Sequence, residues 1–527
     1  MTKSHSRLGQ EHEGSDMKRK TKVLAAGVLA AVLASAASGA DVEKICRDSL
    51  VRALPSALSR IRHPSGDKSL AYYGPGESGH WAVQMNQQVA AALAVLADTP
   101  EPELSAAGLS AEELSDMALA LFRYSLRTHA TGDLACTDGR KWGRTWISVL
   151  GLERSVAGEL LLERRFSADD FSRLKSLLVE ESRFRLKDYP VKAGVFSDNV
   201  PESNLWNGSV MFRTARAYPD LADAAALLEK SAKLMLNGLS SPADSYENWF
   251  VGANFSRNWA LDHHGYMNVG YMYECLSNIA FLYFDCLERG RKVPPELMHN
   301  AEELWRVCKR LTFPDGRICR IGGDTRSRYT YCQLFAMQGW LLAAHAFKDE
   351  DAVRFEREYL AKMFAEQAAN ADGSYFGTRL GNVRDASFYY YSRLEADALL
   401  AVSTSLHWHR RHKFPSVDGG VDVSRTEVWR DEGEHAIFLR GPKSFRSAAF
   451  RSQAGFGQRG RMPNIVCAPT DRSDLAEWSA NLVGMVGLQN ETTDGAAHPT
   501  NGLTAPSASA STAMPEARRL SRSSLLL

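Results

Sequence analysis

From Trp81 to His412 apolar residues recur with a period near 3.6 at almost every stop, and strand-like alternation is nearly absent. This stretch predicts helices at Trp81–Leu96, Ala111–His129, Trp142–Arg164, Ala168–Leu186, Trp206–Tyr218, Leu221–Leu239, Tyr266–Arg289, Pro295–Arg310, Tyr329–Phe347, Asp349–Ala368 and Ala386–His407. Ser110 followed by Glu113 reads as a cap on the second of these. Some connections are short, as at Asp220 and Lys348. Others are long and rich in Gly, Asn and Pro, as at Asp188–Ser203 and Ser240–Gly265. Short and long connections in alternation predict stacked helical hairpins whose long loops share one face and carry function. No sequence repeat is evident, which favours a closed α/α toroid over a regular solenoid.

After Pro415 the texture changes. Glu427-Val428-Trp429, His435–Arg440 and Ser444–Arg451 are short alternating runs broken by Gly and Pro, and read as β-strands. From about Asn490 the chain is rich in Thr, Ala, Ser and Pro without periodicity, and is expected to be disordered. The expected class is therefore mainly α: an incomplete (α/α) toroid over residues 41–415, then a short, incomplete antiparallel β-sandwich domain over 416–489 and a tail over 490–527. A length of 527 residues suits two or three domains.

Residues 1–40 read as an address. Met17-Lys18-Arg19-Lys20 is a basic region, Val23–Leu33 a short apolar run, and Ser38-Gly39-Ala40 a set of small residues before Asp41. This is the signal-peptide pattern, with Met17 the natural start, and it predicts an exported, periplasmic or extracellular protein with no membrane span once the signal is removed. The 63 basic and 62 acidic residues leave a formal charge of +1, which offers no basic excess for nucleic acid. None of the eight Cys (Cys46, Cys136, Cys275, Cys286, Cys308, Cys319, Cys332, Cys467) forms a CxxC pair, so a structural zinc site is not expected. Several lie in apolar helical runs and read as buried thiols, with room for one bridged pair.

Four segments hold the chemistry. In Asp198–Gly208, Glu202, Asn204, Trp206 and Asn207 stand at a predicted loop-to-helix junction, where amides and a helix N-terminus suit an oxyanion; a cap at Ser203 or Asn204 explains part of the same pattern. Trp259–Tyr271 is the densest titratable and aromatic cluster, with His263, His264, Tyr266 and Tyr271. Downstream of it Tyr271, Glu274 and Asn278 form a polar stripe opposite Val269, Met272, Leu276, Ile279 and Tyr283, so this helix can line a cleft. Adjacent His residues seldom share one ion, and no third ligand stands at helical spacing. In Gly322–Tyr331, Arg326, Arg328, Tyr329 and Tyr331 enter a helix and suit an anionic substrate, the Arg also favouring a phenolate. Trp81 and Trp142 lie at Gly-rich polar junctions that suit sugar stacking, although a core role accounts for any single aromatic.

Amides, Tyr, His and Arg with few paired carboxylates suit proton abstraction beside a carboxylate. In a uronic acid the C5 proton is weakly acidic, and donors must hold the enolate-like intermediate while a Tyr or His takes the proton and a hydroxyl protonates the leaving O4. No metal or organic cofactor is needed. At these segments, over roughly Tyr72–Gly484, the chain resembles the heparinase II/III-like polysaccharide lyases, which pair an α/α toroid with β-sandwich domains. The resemblance rests on Glu202–Gly208, on Asp262–Tyr271 about sixty residues later, on Arg326–Tyr331 and on the switch to β near Ser424. It implies a lyase acting on an anionic polysaccharide, with Asn204 as carboxylate neutraliser, Tyr266 as catalytic Tyr and His263 or His264 assisting; Tyr329 or Tyr331 with Arg326 is the rival pair. The β region is shorter than the family's. A glycoside hydrolase on the same toroid would need two carboxylates, from Asp262 and Glu274 or from Asp385 and Glu395. The latter two are ten residues apart, about 15 Å along a helix, which argues against them. A non-enzymatic glycan binder would need only the aromatic junctions.

Overall fold

The computed structural model describes residues 39–195, 199–245, 248–264, 266–319, 321, 326–417, 419, 426–433, 436–442, 444–449, 465–469 and 482–484. The signal-peptide pattern up to residue 38 and the 490–527 tail lie outside them. The described chain is mainly helical. Its helices are α1 (Gly39–Leu58), α2 (His80–Ala97), α3 (Glu101–Ala106), α4 (Ala111–Thr128), α5 (Leu150–Arg154), α6 (Val156–Leu162), α7 (Ala168–Asp188), α8 (Pro201–Ala217), α9 (Ala224–Gly238), α10 (Val269–Glu288), α11 (Ala301–Arg310), α12 (Arg326–Ala346), α13 (Glu350–Ala368), α14 (Gly381–Ala386) and α15 (Phe388–Arg411).

Side-chain caps place many of these starts. Ser110 accepts from the Glu113 amide, Ser167 and Asp170 form a reciprocal capping box, Asp349 accepts from Asp351 and Ala352, and Ser387 accepts from Tyr390. Three expectations fail on the same kind of detail. The predicted Trp142–Arg164 helix is instead an irregular segment followed by two short helices, because Gly143 takes φ +117° and the chain kinks again at Ser155. Pro295–Arg310 breaks at Asn300, which is left-handed at φ +57°. Helix α8 starts at Pro201, well before Trp206: proline at the first helical position needs no amide partner.

The helices differ in how completely they are buried. Ala82–Leu96 of α2, Pro201–Ala215 of α8 and Tyr391–Trp408 of α15 are buried on every side, as are most of α10 and α12. Helices apolar or buried all round belong at the centre. The adjacencies run α2–α15–α12–α10–α8–α5 and back to α2. Against these pack α1 (on α15), α4 (on α2), α7 and α9 (on α8), α11 (on α10) and α13 (on α12). Four tryptophans, Trp206, Trp305, Trp340 and Trp408, are fully enclosed.

Among the described residues of the helical region, β1 (Ile61–Arg62) pairs with β2 (Tyr72–Tyr73) and β3 (Asp262–His263) with β4 (Tyr266–Met267), beside the isolated bridges His129–Trp142 and Thr312–Ile318. Beyond α15, strands β5 (Glu427–Asp431), β6 (Ala436–Arg440), β7 (Ser444–Ala449), β8 (Ile465–Pro469) and β9 (Leu482–Gly484) form one antiparallel sheet in sequence order. Trp429 faces Phe438 in register on the buried side, while Val428 and Ile437 point outward. The sheet is held to the helices by Phe445 against Phe313 (5.3 Å between rings), by Arg310 donating to Val428 O (2.7 Å), and by Ser256 Oγ donating to Asp431 Oδ2 (2.5 Å).

Close approach of α6 to α2 depends on Gly158, where a Cβ would lie 2.3 Å from Ala91 Cα. Gly158→Ala is expected to lower stability by about 1–3 kcal/mol, read as a drop in denaturation midpoint, because neither backbone can retreat in a packed interior.

Candidate active site

Strands β3 and β4 pair antiparallel, and His264 leads out of β3. His264 adopts φ +60°, a left-handed conformation uncommon outside glycine and favoured by few side chains. The hairpin feeds α10, whose N-cap Asn268 accepts from the Tyr271 amide (3.2 Å). This arrangement stacks three rings. His263 lies 4.1 Å from Tyr271 at 30°, and His264 lies 4.4 Å from His263 and 5.3 Å from Tyr271, both edge-on.

The hydroxyls then run in a chain. His264 Nε2 is 3.2 Å from Tyr271 Oη, which is 3.1 Å from Tyr331 Oη on α12. Gly270 makes this contact possible: a Cβ there would sit 2.3 Å from Cys332 Cβ, so α10 and α12 meet next to the two tyrosines. The guanidinium of Arg393, from α15, lies 4.3 Å over the Tyr331 ring and 4.3 Å over the Trp81 ring. Arg393 is 4% exposed, and its Nε and Nη1 have no hydrogen-bond partner in the protein. Asp397 stands 3.5 Å from Nε; although burial alone would discharge the guanidinium, this carboxylate and the Tyr390, Tyr331 and Tyr271 hydroxyls favour its charged form. By reciprocity the cation favours phenolate character on those tyrosines.

His263 Nδ1–H donates to Asn199 O (3.0 Å), which fixes its tautomer and leaves Nε2 facing Glu202 Oε1 at 3.6 Å. Burial, reinforced by the charge of Glu274, holds the Glu202 carboxyl well above the usual carboxylate range. Below the tyrosines the polar stripe of α10 continues inward. Arg154 Nη2 donates to Glu274 Oε1 (2.7 Å) while its guanidinium covers the Phe335 ring at 4.1 Å, and Asn278 Nδ2 donates to Glu153 Oε2 (3.1 Å). Burial raises Glu274 as well, and pushes Glu153 up to about 8. Gln88 donates to Asp397 Oδ1 (2.9 Å).

The predicted residues thus divide. His263, His264, Tyr271 and Tyr331 come together, Trp81 joins them through Arg393, and Glu202 and Glu274 lie beneath. Tyr266 enters β4 opposite His263 in place of a helix start, because Asn268 caps α10 two residues later; its side chain, like those of Arg326, Arg328 and Tyr329, lies outside the described residues, as do Asp198 and residues 322–325. Asn204 is a correction. It sits inside α8, fully buried, with its amide taken up by the backbone: Oδ1 accepts from Lys192 N (3.1 Å), and Nδ2 donates to Lys192 O (2.8 Å) and Asn237 O (3.2 Å). It ties the loop at Lys192 to the end of α9 and has no exposed surface to offer a carboxylate. Asn207 is likewise internal, donating to Ser203 O and Trp146 O and accepting from Arg185. Trp142 is core, edge-on to His129 with Nε1 donating to Ser125 O, and Trp206 is fully buried behind Trp146. Glu395 accepts from the Tyr375 and Phe376 amides and Asp385 is exposed, so they form no catalytic pair. Sequence reasoning missed Arg393. The aromatic run Phe388-Tyr389-Tyr390-Tyr391 just before it was the available signal.

Cys46, Cys136, Cys275, Cys286, Cys308, Cys319 and Cys332 are buried free thiols, and the side chain of Cys467 in β8 lies outside the described residues. Among the described residues no helix is long and apolar enough to cross a membrane.

Glu153 titrates at about 8 when folded against an ordinary 4.5, so its neutral form stabilises the fold below pH 4.5 and that contribution is lost as pH rises toward 8. Glu153→Gln keeps an acceptor for Asn278 without the ionisation. It should therefore narrow the fall in Tm between pH 5 and pH 8 by more than about 2 °C, measured by calorimetry; an unchanged fall would mean that Glu153 does not ionise there. No protein-family model, curated protein or solved structure matches this chain.

Proposed function

We propose that the protein is an exported polysaccharide lyase that cleaves a uronic-acid-containing polymer by β-elimination, on an α/α toroid followed by a partial β-sandwich. The observation that carries this reading is the chain His264–Tyr271–Tyr331 beside the buried cation of Arg393. Support for the toroid comes from the cycle of helix adjacencies, with a second set of helices outside it. The reading keeps the tyrosine–histidine chemistry inferred from the sequence but moves it to Tyr271 and Tyr331.

In this reading Tyr271 passes its proton to His264 Nε2, and the charge of Arg393, seated over the ring of the adjoining Tyr331, stabilises the resulting phenolate. The phenolate takes the C5 proton. The C5–H electron pair becomes the C4–C5 double bond, and the C4–O4 bond breaks with its electrons on O4. The hydroxyl pair then returns a proton to O4, and the imidazolium of His264 balances the uronate carboxylate while charge develops. Neither a metal nor an organic cofactor enters these steps. The substrate is an anionic polysaccharide or oligosaccharide, and no role for nucleic acid or membrane is proposed. Glu202, a buried carboxyl pushed upward by burial and 3.6 Å from His263, is the one observation that favours a hydrolase instead.

The test is ultraviolet absorbance of the C4–C5 unsaturated product while the purified protein digests a panel of uronic-acid polymers. Wild type should generate it. Tyr271→Phe, which keeps the ring packing and removes only the hydroxyl, should lower kcat at least about 100-fold. Arg393→Lys, which loses the planar stacked cation, should shift the alkaline optimum upward. Reducing ends without absorbance would establish hydrolysis and overturn elimination.

A further inference from the structure

Trp146 is 47% exposed, unusual for so large an apolar ring, and its backbone is tied down by hydrogen bonds. Its carbonyl accepts from Trp206 Nε1 (3.3 Å) and Asn207 Nδ2 (3.1 Å). Its neighbours are pinned by one buried carboxylate. Glu181 accepts from the Arg144 amide (2.6 Å) and from Ser148 Oγ (2.5 Å), while Arg185, paired to Glu181 at 2.7 Å, donates to Thr145 O (3.0 Å). Burial would raise the Glu181 carboxyl, yet His129, Arg185 and Ser148 hold it down at about 2, so this anchor stays ionised. A mobile surface tryptophan would need none of this.

The ring also continues the wall of the candidate site. Trp146 rests on Trp206 (5.9 Å) and faces the exposed His80 (6.5 Å). His80 is edge-on to Trp81 (5.4 Å), Trp81 is edge-on to Tyr390 (5.8 Å), and Trp81 lies under Arg393. A run of ring contacts, continued by the Arg393 guanidinium, therefore links the exposed Trp146 to Tyr331. A flat, exposed ring on an anchored backbone matches the apolar face of a pyranose.

We infer that Trp146 is a stacking platform for a pyranose ring of the substrate lying outside the pair that reacts, so that the protein binds internal stretches of a long polysaccharide and prefers long chains. This rests on the proposed function for the nature of the chain but not for its chemistry. The test uses the full-length protein and a size-graded series of uronic-acid oligosaccharides from the polymer most active in the absorbance panel or, if none is active, from each polymer in turn. Two readouts are made: elimination rate, and quenching of tryptophan fluorescence on titration with catalytically inert protein (Tyr271→Phe). Wild type should show kcat/KM rising with chain length. Trp146→Ala should remove most of that rise by raising KM for long chains roughly tenfold, the equivalent of about 1.4 kcal/mol, and Trp146→Phe should restore most of it. In the Tyr271→Phe background, Trp146→Ala should abolish the quench by long chains. A quench lost in Trp146→Ala with no absorbance from wild type would sustain the platform and sink the lyase. A length dependence or quench unchanged by Trp146→Ala would overturn the platform, as would failure of the protein to bind any member of the series.

Discussion

Charge buried between helices is the constraint on which this structure turns. Arg154 on α5 reaches Glu274 on α10, Arg213 on α8 reaches Glu159 on α6 and faces Asp285 on α10 at 3.7 Å, and Arg393 lies beside Asp397 within α15. All are nearly or wholly removed from solvent. A guanidinium in such a place is tolerated only with a carboxylate in reach, and removing one partner of a buried pair costs about 3–5 kcal/mol. The pairs therefore dictate which helices are neighbours more strictly than apolar contact could, since Leu and Ala surfaces slide past one another at little cost. The same removal from water raises carboxyls such as Glu202 and Glu153, and the cation of Arg154 offsets only part of that rise at Glu153.

Much of the scaffold was legible because helix periodicity and caps are local. Ser110, Asp349 and the α10 stripe of Tyr271, Glu274 and Asn278 needed no tertiary knowledge, and the structure places them as their spacing implies. Failures came where backbone conformation departs from what the side chains advertise. The pattern over Trp142–Arg164 is apolar enough for one helix, but Gly143, Gly151 and Gly158 serve close contacts with other segments, and such contacts are invisible in a single sequence. The long loops are legible as loops, yet the pattern carries one of them to Ser203; the helix begins at Pro201, so Asn204, which reads as a carboxylate clamp or cap at a loop-to-helix junction, lies inside it with its amide taken up by the backbone.

At the site the division follows the same line. His263, His264 and Tyr271 are close in sequence and could be grouped by eye. Tyr331 and Arg393 come from other helices, and only the packing of α12 between α10 and α15 unites them. Arg393 is hidden by its company: Tyr391–Trp408 is uniformly buried, so a lone cation there reads as the edge of a core helix. Polarity inside a fully buried helix is the signal that would have found it, and Gln84, Gln87 and Gln88 on α2 carry the same mark.

The seven buried thiols have a consequence of a different kind. Burial drives Cys286 and Cys319 up to about 12 and Cys46 higher still, so at neutral pH none of these three offers the thiolate that alkylating or oxidising reagents need. Reactivity toward such reagents consequently requires the fold to open. Because Cys46, Cys136, Cys275, Cys308 and Cys332 are spread from α1 to α12, each thiol acts as a clock for its own neighbourhood, and the order in which they become labelled reports the order in which the helices separate.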